Sequence, residues 1–128
     1  MTEEKTDIGL KALELTEIQE TELRRIFGYY QKETERCRRA KAYLAGCVMA
    51  GAELETALIL MITAYPDDAM ATNKLPRQKK AIKPLLDWNL AELLRVAKAA
   101  EWVTFWYRIW QRRLERKKSE NRRLCHCR

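Results

Sequence analysis

Residues 43–62 read YLAGCVMAGAELETALILMI. Glu53 and Glu55 are the only charges in this stretch, proline is absent, and the large apolar residues recur at spacings of three and four. That is the periodicity of a helix, and so apolar a helix belongs inside a bundle. The spacing predicts an inward face made of Ala40, Tyr43, Leu44, Cys47, Val48, Gly51, Leu54, Leu58, Met61 and Ile62. Ala45, Gly46, Ala50, Gly51 and Ala52 keep the middle of the helix thin, so that a neighbouring helix can approach closely. The uncharged runs 42–52 and 56–66 are each about half of the ~20 residues that a bilayer span requires. The two glutamates between them predict a core helix and no membrane span.

Upstream, the helical pattern reaches back to residue 16. Thr16 followed by Gln19 is a capping-box signature. Leu23, Ile26, Phe27 and Tyr30 form one stripe, with Arg24, Arg25, Lys32 and Glu33 around it. A stripe of this kind needs a partner, which the 43–62 helix supplies as the second arm of an antiparallel pair. Residues 1–15 are read as a flexible N-terminal segment. They contain acids and no apolar core of a secretory signal, so the expected compartment is the cytoplasm.

Downstream, Tyr65-Pro66 ends the long helix, because proline lacks an N–H and restricts the residue before it. Residues 66–86 carry Pro76, Pro84 and the bases Lys74, Arg77, Lys79, Lys80 and Lys83. With no aromatic residues interleaved for stacking on nucleotides, this segment reads as a solvated interhelix loop. A third helix starts at Asn89, which has Glu92 three residues on as a second capping box. Leu90, Leu93, Leu94, Ala97 and Ala100 form its expected buried face, with Trp88 and Trp102 at its two ends.

Length and composition agree with a small all-α bundle. The chain has 128 residues, 47% hydrophobic and 34% charged, which fits one small helix-rich domain and excludes a large multidomain enzyme. Its formal charge is +7, from 25 Lys and Arg against 18 Asp and Glu. Position decides what that charge means. Residues 104–128 hold nine bases and two acids, so residues 1–103 are neutral overall. The expected organisation is therefore a bundle over 16–103 and a basic helix or tail over 104–128. Cys37 and Cys47 are separated by roughly 15 Å of helix and cannot bridge each other, so reduced thiols are expected.

Two segments carry a resemblance. Residues 41–55, KAYLAGCVMAGAELE, and 83–98, KPLLDWNLAELLRVAK, resemble a family of uncharacterised bacterial helical proteins that looks related to the HEPN-like domains. The resemblance covers about residues 20–103 and implies an all-α fold. In HEPN ribonucleases, a late helix carries an arginine that stabilises phosphate charge and a histidine that exchanges protons, often with both halves supplied by a dimer. The resemblance thus raises a homodimer, RNA as a partner, and a toxin-like ribonuclease using Arg122 and His126. In the family resembled here the late motif looks like Arg-Asn-x-x-His-Pro. Arg122 and His126 keep its spacing, but Arg123 stands in the asparagine position and Cys127 in the proline position. The leading expectation is accordingly a non-catalytic HEPN-like protein, with no cofactor, no catalytic residue and no small-molecule substrate.

The tail admits two readings. Read one base later from codon 104, Trp106-Tyr107 and Trp110-Gln111 each yield glycine, and the peptide after Val103 can become Pro-Ser-Gly-Ile-Gly-Phe-Gly. Residues 118–127 can likewise be read as Lys-Ala-Lys-Ile-Gly-Asp-Tyr-Ala-Ile-Val. Both peptides look like what the resembled family carries after its third helix, so residues 104–128 are expected to be an out-of-frame extension of a truncated family member. Taken at face value, the tail is a basic helix with Phe105, Trp106, Ile109, Trp110 and Leu114 on an apolar side. Arg108, Arg112, Arg113, Arg116, Lys117 and Lys118 then face phosphates of RNA or another anionic surface. Cys125, His126 and Cys127 are consecutive and cannot readily surround one metal ion, so no metal site is expected.

Overall fold

The computed structural model describes residues 2–126, apart from the side chains of residues 2–7, 110, 113, 114 and 126. The fold is all-α. Its elements are α1 (Thr2–Leu13), α2 (Glu17–Arg39), α3 (Tyr43–Ala64), α4 (Pro66–Ala71), a two-stranded hairpin of β1 (Arg77–Gln78) and β2 (Ala81–Ile82), α5 (Leu90–Ala99) and α6 (Trp102–His126).

Both expected capping boxes are present. The Thr16 hydroxyl accepts from the Gln19 amide at 3.2 Å, and the Thr16 amide donates to Gln19 Oε1 at 3.0 Å. At α5, Asn89 Oδ1 accepts from the Glu92 amide at 2.9 Å and the Asn89 amide donates to Glu92 Oε2 at 3.1 Å. Each box satisfies two otherwise orphaned donors. The chain reverses between α2 and α3 through Lys41, whose φ of 56° is left-handed. The amides of Lys41 and Ala42 donate back to the Arg38 and Cys37 carbonyls, which closes the end of α2 in a Schellman arrangement without the usual glycine. The two helices then pack antiparallel over most of their lengths. Gly46 lies on this seam, since a Cβ there would stand 3.3 Å from Cys37 Cβ.

The core gathers where the C-terminal half of α3 meets α5. Leu58, Ile59 and Ile62 of α3 pack with Leu93, Val96 and Ala97 of α5, closed by Leu13, Ala69, Leu85, Trp88 and Trp102. Trp88 is 2% exposed and its indole N–H donates to the Lys83 carbonyl at 2.7 Å, so a large ring is buried with its polar atom satisfied. Val96, absent from the face predicted for α5, is fully buried, while Leu94 is 37% exposed.

Three expectations are corrected. The N-terminal segment forms α1, which packs on α4 and β2 and plugs Leu13 into the core. Gly9 allows this approach, because a Cβ there would lie 2.6 Å from Met70 Cε and 3.0 Å from Ile82 Cδ1. The 66–86 segment is not an open loop: it contains α4, the hairpin and a 3-10 turn over Leu85–Asp87. Finally, the inward face of α3 is only half inward. Leu58 and Ile62 are buried, but Tyr43, Leu44, Val48 and Leu54 are 67, 83, 61 and 42% exposed, and Ala40 caps α2 instead of lying in α3. The reason is length. At 1.5 Å per residue α3 is roughly 33 Å long and α5 roughly 15 Å, so α5 roofs only the C-terminal half of α3.

Candidate functional site

Two features stand apart from ordinary bundle packing: the cations of α6 and an apolar groove beside its first turns. The cations differ from those of α2, where every arginine has a carboxylate within one turn. Arg24 pairs with Glu20 at 2.7 Å, Arg25 with Glu22, Arg36 with Glu33 at 2.8 Å, and Arg38 and Arg39 with Glu35 at 2.7 and 3.0 Å. The hydrogen bonds from Arg38 and then Arg39 hold the Glu35 carboxyl down to about 2. Bonding from Arg25 lowers Glu22 in the same direction. These pairs lie on an exposed face and leave little net positive charge there.

On α6, Arg108, Arg112, Arg116, Lys117, Lys118 and Arg122 are exposed, and among the described residues none of them forms an ion pair. The side chains of Arg113, Trp110, Leu114 and His126, and the whole of Cys127, lie outside the described residues. The helix therefore presents five of the six bases expected to face phosphate. Apolar and basic residues are sorted along its axis more than around it. Phe105, Trp106, Tyr107 and Ile109 occupy the first turns, while the bases from Arg112 to Arg123 are spread round the later ones.

The described residues of the expected apolar side of α6 are not buried by the bundle. Phe105, Trp106 and Ile109 are 61, 55 and 41% exposed, and Trp102 is the last buried residue among those described. Left-handed backbone at Glu101, with φ of 62°, ends α5 and redirects the chain into α6. Burial thus stops within two residues of the place where the charge balance changes.

The groove was not foreseen. Phe27 of α2, Leu54, Leu58 and Met61 of α3, Leu94 and Ala97 of α5, and Trp102, Val103 and Trp106 of α6 line a cavity of about 550 Å³ with apolar side chains. The signal available in the sequence was a surplus: α3 carries more apolar length than the ten residues of α5 can cover. The helix α3 is uninterrupted and, by length and composition, long enough and apolar enough to cross a membrane, whereas its two uncharged runs taken separately are too short.

The loop bases are dispersed. Lys83 pairs with Glu92 at 3.4 Å, and Arg77, Lys79 and Lys80 are exposed on the hairpin. Cys37, Cys47 and Cys125 are free thiols, and among the described residues no three His, Cys, Asp or Glu side chains converge as a metal site would require. No family model matches the chain, and no curated protein or solved structure matches it either.

Proposed function

We propose that the chain is a non-catalytic helical protein of HEPN-like type that acts in a bacterial cytoplasm. In this reading residues 104–128 are an out-of-frame extension of the helical domain. The observation that carries this reading is the coincidence at the start of α6. Among the described residues core burial ends at Trp102, the resemblance ends at about residue 103, and the net positive charge begins immediately after. Arg122 stands exposed on α6 and forms no ion pair among the described residues. Ribonuclease chemistry needs the arginine and the proton-exchanging histidine held together against a phosphate. The full chain incubated with RNA is expected to leave it intact. Cleavage that disappears in both His126→Ala and Arg122→Ala would overturn the proposal.

A second reading is RNA binding through α6, favoured by the contrast between its described bases, which form no ion pair, and the paired arginines of α2. Binding of this kind is electrostatic and weakens steeply with salt. A gel shift at low salt that disappears on replacing Arg112, Arg116, Lys117 and Lys118 with alanine supports it. No shift even at low salt excludes it.

A further inference from the structure

We infer that the apolar cavity between α2, α3, α5 and α6 binds a small ligand with a hydrocarbon body, the chemistry of a free medium-chain fatty acid. The inference is independent of the family resemblance and of the frame of the tail, since Trp106 is the one lining residue that falls within 104–128. Leu58, Ala97 and Trp102 at the bottom of the cavity are buried in the core, while Leu54, Val103 and Trp106 are 42, 50 and 55% exposed at its rim. Protein interiors are ordinarily close-packed, so a hollow of about 550 Å³ that reaches down to core residues is room the chain leaves unfilled. Ala57 of α3 and Ala97 of α5 help to make that room, because a larger side chain at either position would project into it.

Size selects a small molecule over a protein. The volume lies within the roughly 300–1,000 Å³ of small-molecule sites. Eleven residues line the cavity, against the roughly 20–30 that each partner contributes to a standard protein interface. Its wall on α3 runs from Leu54 to Met61, about 10 Å along the helix, which suits the extended body of a medium-length acyl chain.

The lining selects hydrocarbon. Apart from the two indole N–H groups, the side chains that line the cavity carry no hydrogen-bonding nitrogen or oxygen and no charge. A sugar or a nucleotide would give up its hydrogen bonds to water there without replacement. A methylene chain gives up none, and it gains contact with the rings of Phe27, Trp102 and Trp106 and with the Met61 thioether. A single polar head group is accommodated by leaving it in water at the open side.

Isothermal titration calorimetry of the full chain with hexanoate, octanoate and decanoate, all below their micellar concentrations, tests this. Decanoate is expected to bind at one site, decanol to bind comparably, and each methylene removed to weaken binding about fourfold. Leu54→Asp sets a charge at the rim and should weaken decanoate binding about tenfold or more. Ala57→Leu fills the cavity and should do the same, with helix content by circular dichroism unchanged. Leu44→Asp, at an exposed apolar position outside the cavity, should leave binding as in the wild type. No binding of decanoate, affinity that does not rise with chain length, or an equal loss in Leu44→Asp would each overturn the inference. So would a dimer that Leu54→Asp dissociates, which puts a second copy over the cavity, or cosedimentation with phosphatidylcholine vesicles that Leu54→Asp abolishes, which puts a bilayer there.

Discussion

Leu44 and Ile62 stand on one row of α3 about five turns apart, the first 83% exposed and the second completely buried. Intrinsic helix preference does not separate them. What separates them is the reach of α5, which ends before it can roof the upper half of α3.

Substitution of this pair should reproduce the asymmetry. Ile62→Ala removes packing inside the core and is expected to lower stability by about 2–5 kcal/mol. In dilute solution Leu44→Ala should change stability by less than about 0.5 kcal/mol. Urea unfolding at low protein concentration measures both.

The start of α5 offers a second check. Asn89→Ala deletes the acceptor for the Glu92 amide and should cost about 1 kcal/mol, read as a lower urea midpoint with an unchanged slope.

These elements also show how far the sequence could be read. The capping boxes at Thr16 and Asn89 were legible because they are local: a short polar residue and its partner three positions on are enough. The antiparallel pair followed from periodicity. Periodicity also placed Leu44, Val48 and Leu58 on one face of α3, but it carries no information about the length of the neighbour, so the open half was invisible. The hairpin at residues 77–82 was missed because its two turn residues, Lys79 and Lys80, are not the Asn and Gly that announce such a turn. Helix α1 was missed because few apolar residues are spread along it. The α6 bases were legible as a charge excess, while the absence of ion pairs among the described ones required the structure.

The hairpin provides its own test. Lys79 and Lys80 have φ of 51 and 68°, left-handed values that a side chain disfavours. Lys80→Gly relieves one of them and should raise stability by about 0.5–1 kcal/mol in thermal unfolding.

Glu35 sets a pH dependence. Its folded pKa is about 2, below the ordinary 4.5, because Arg38 and Arg39 hydrogen-bond the carboxylate. A lowered carboxyl pKa contributes stability above pH 4.5 that is lost as the pH falls through about 2. The side-chain carboxyl carbon of Glu35, followed by NMR, should titrate near pH 2 and move toward 4.5 in Arg38→Ala.

The most direct test of the central claim, that the domain ends at the start of α6 and the tail is out of frame, is the nucleotide sequence from codon 100 through codon 128 and beyond. The account predicts that the frame one base later stays open past codon 128 and encodes Arg-Asn-x-x-His-Pro. A shifted frame that is interrupted, or that lacks this motif, would contradict it and leave α6 as a native part of the protein.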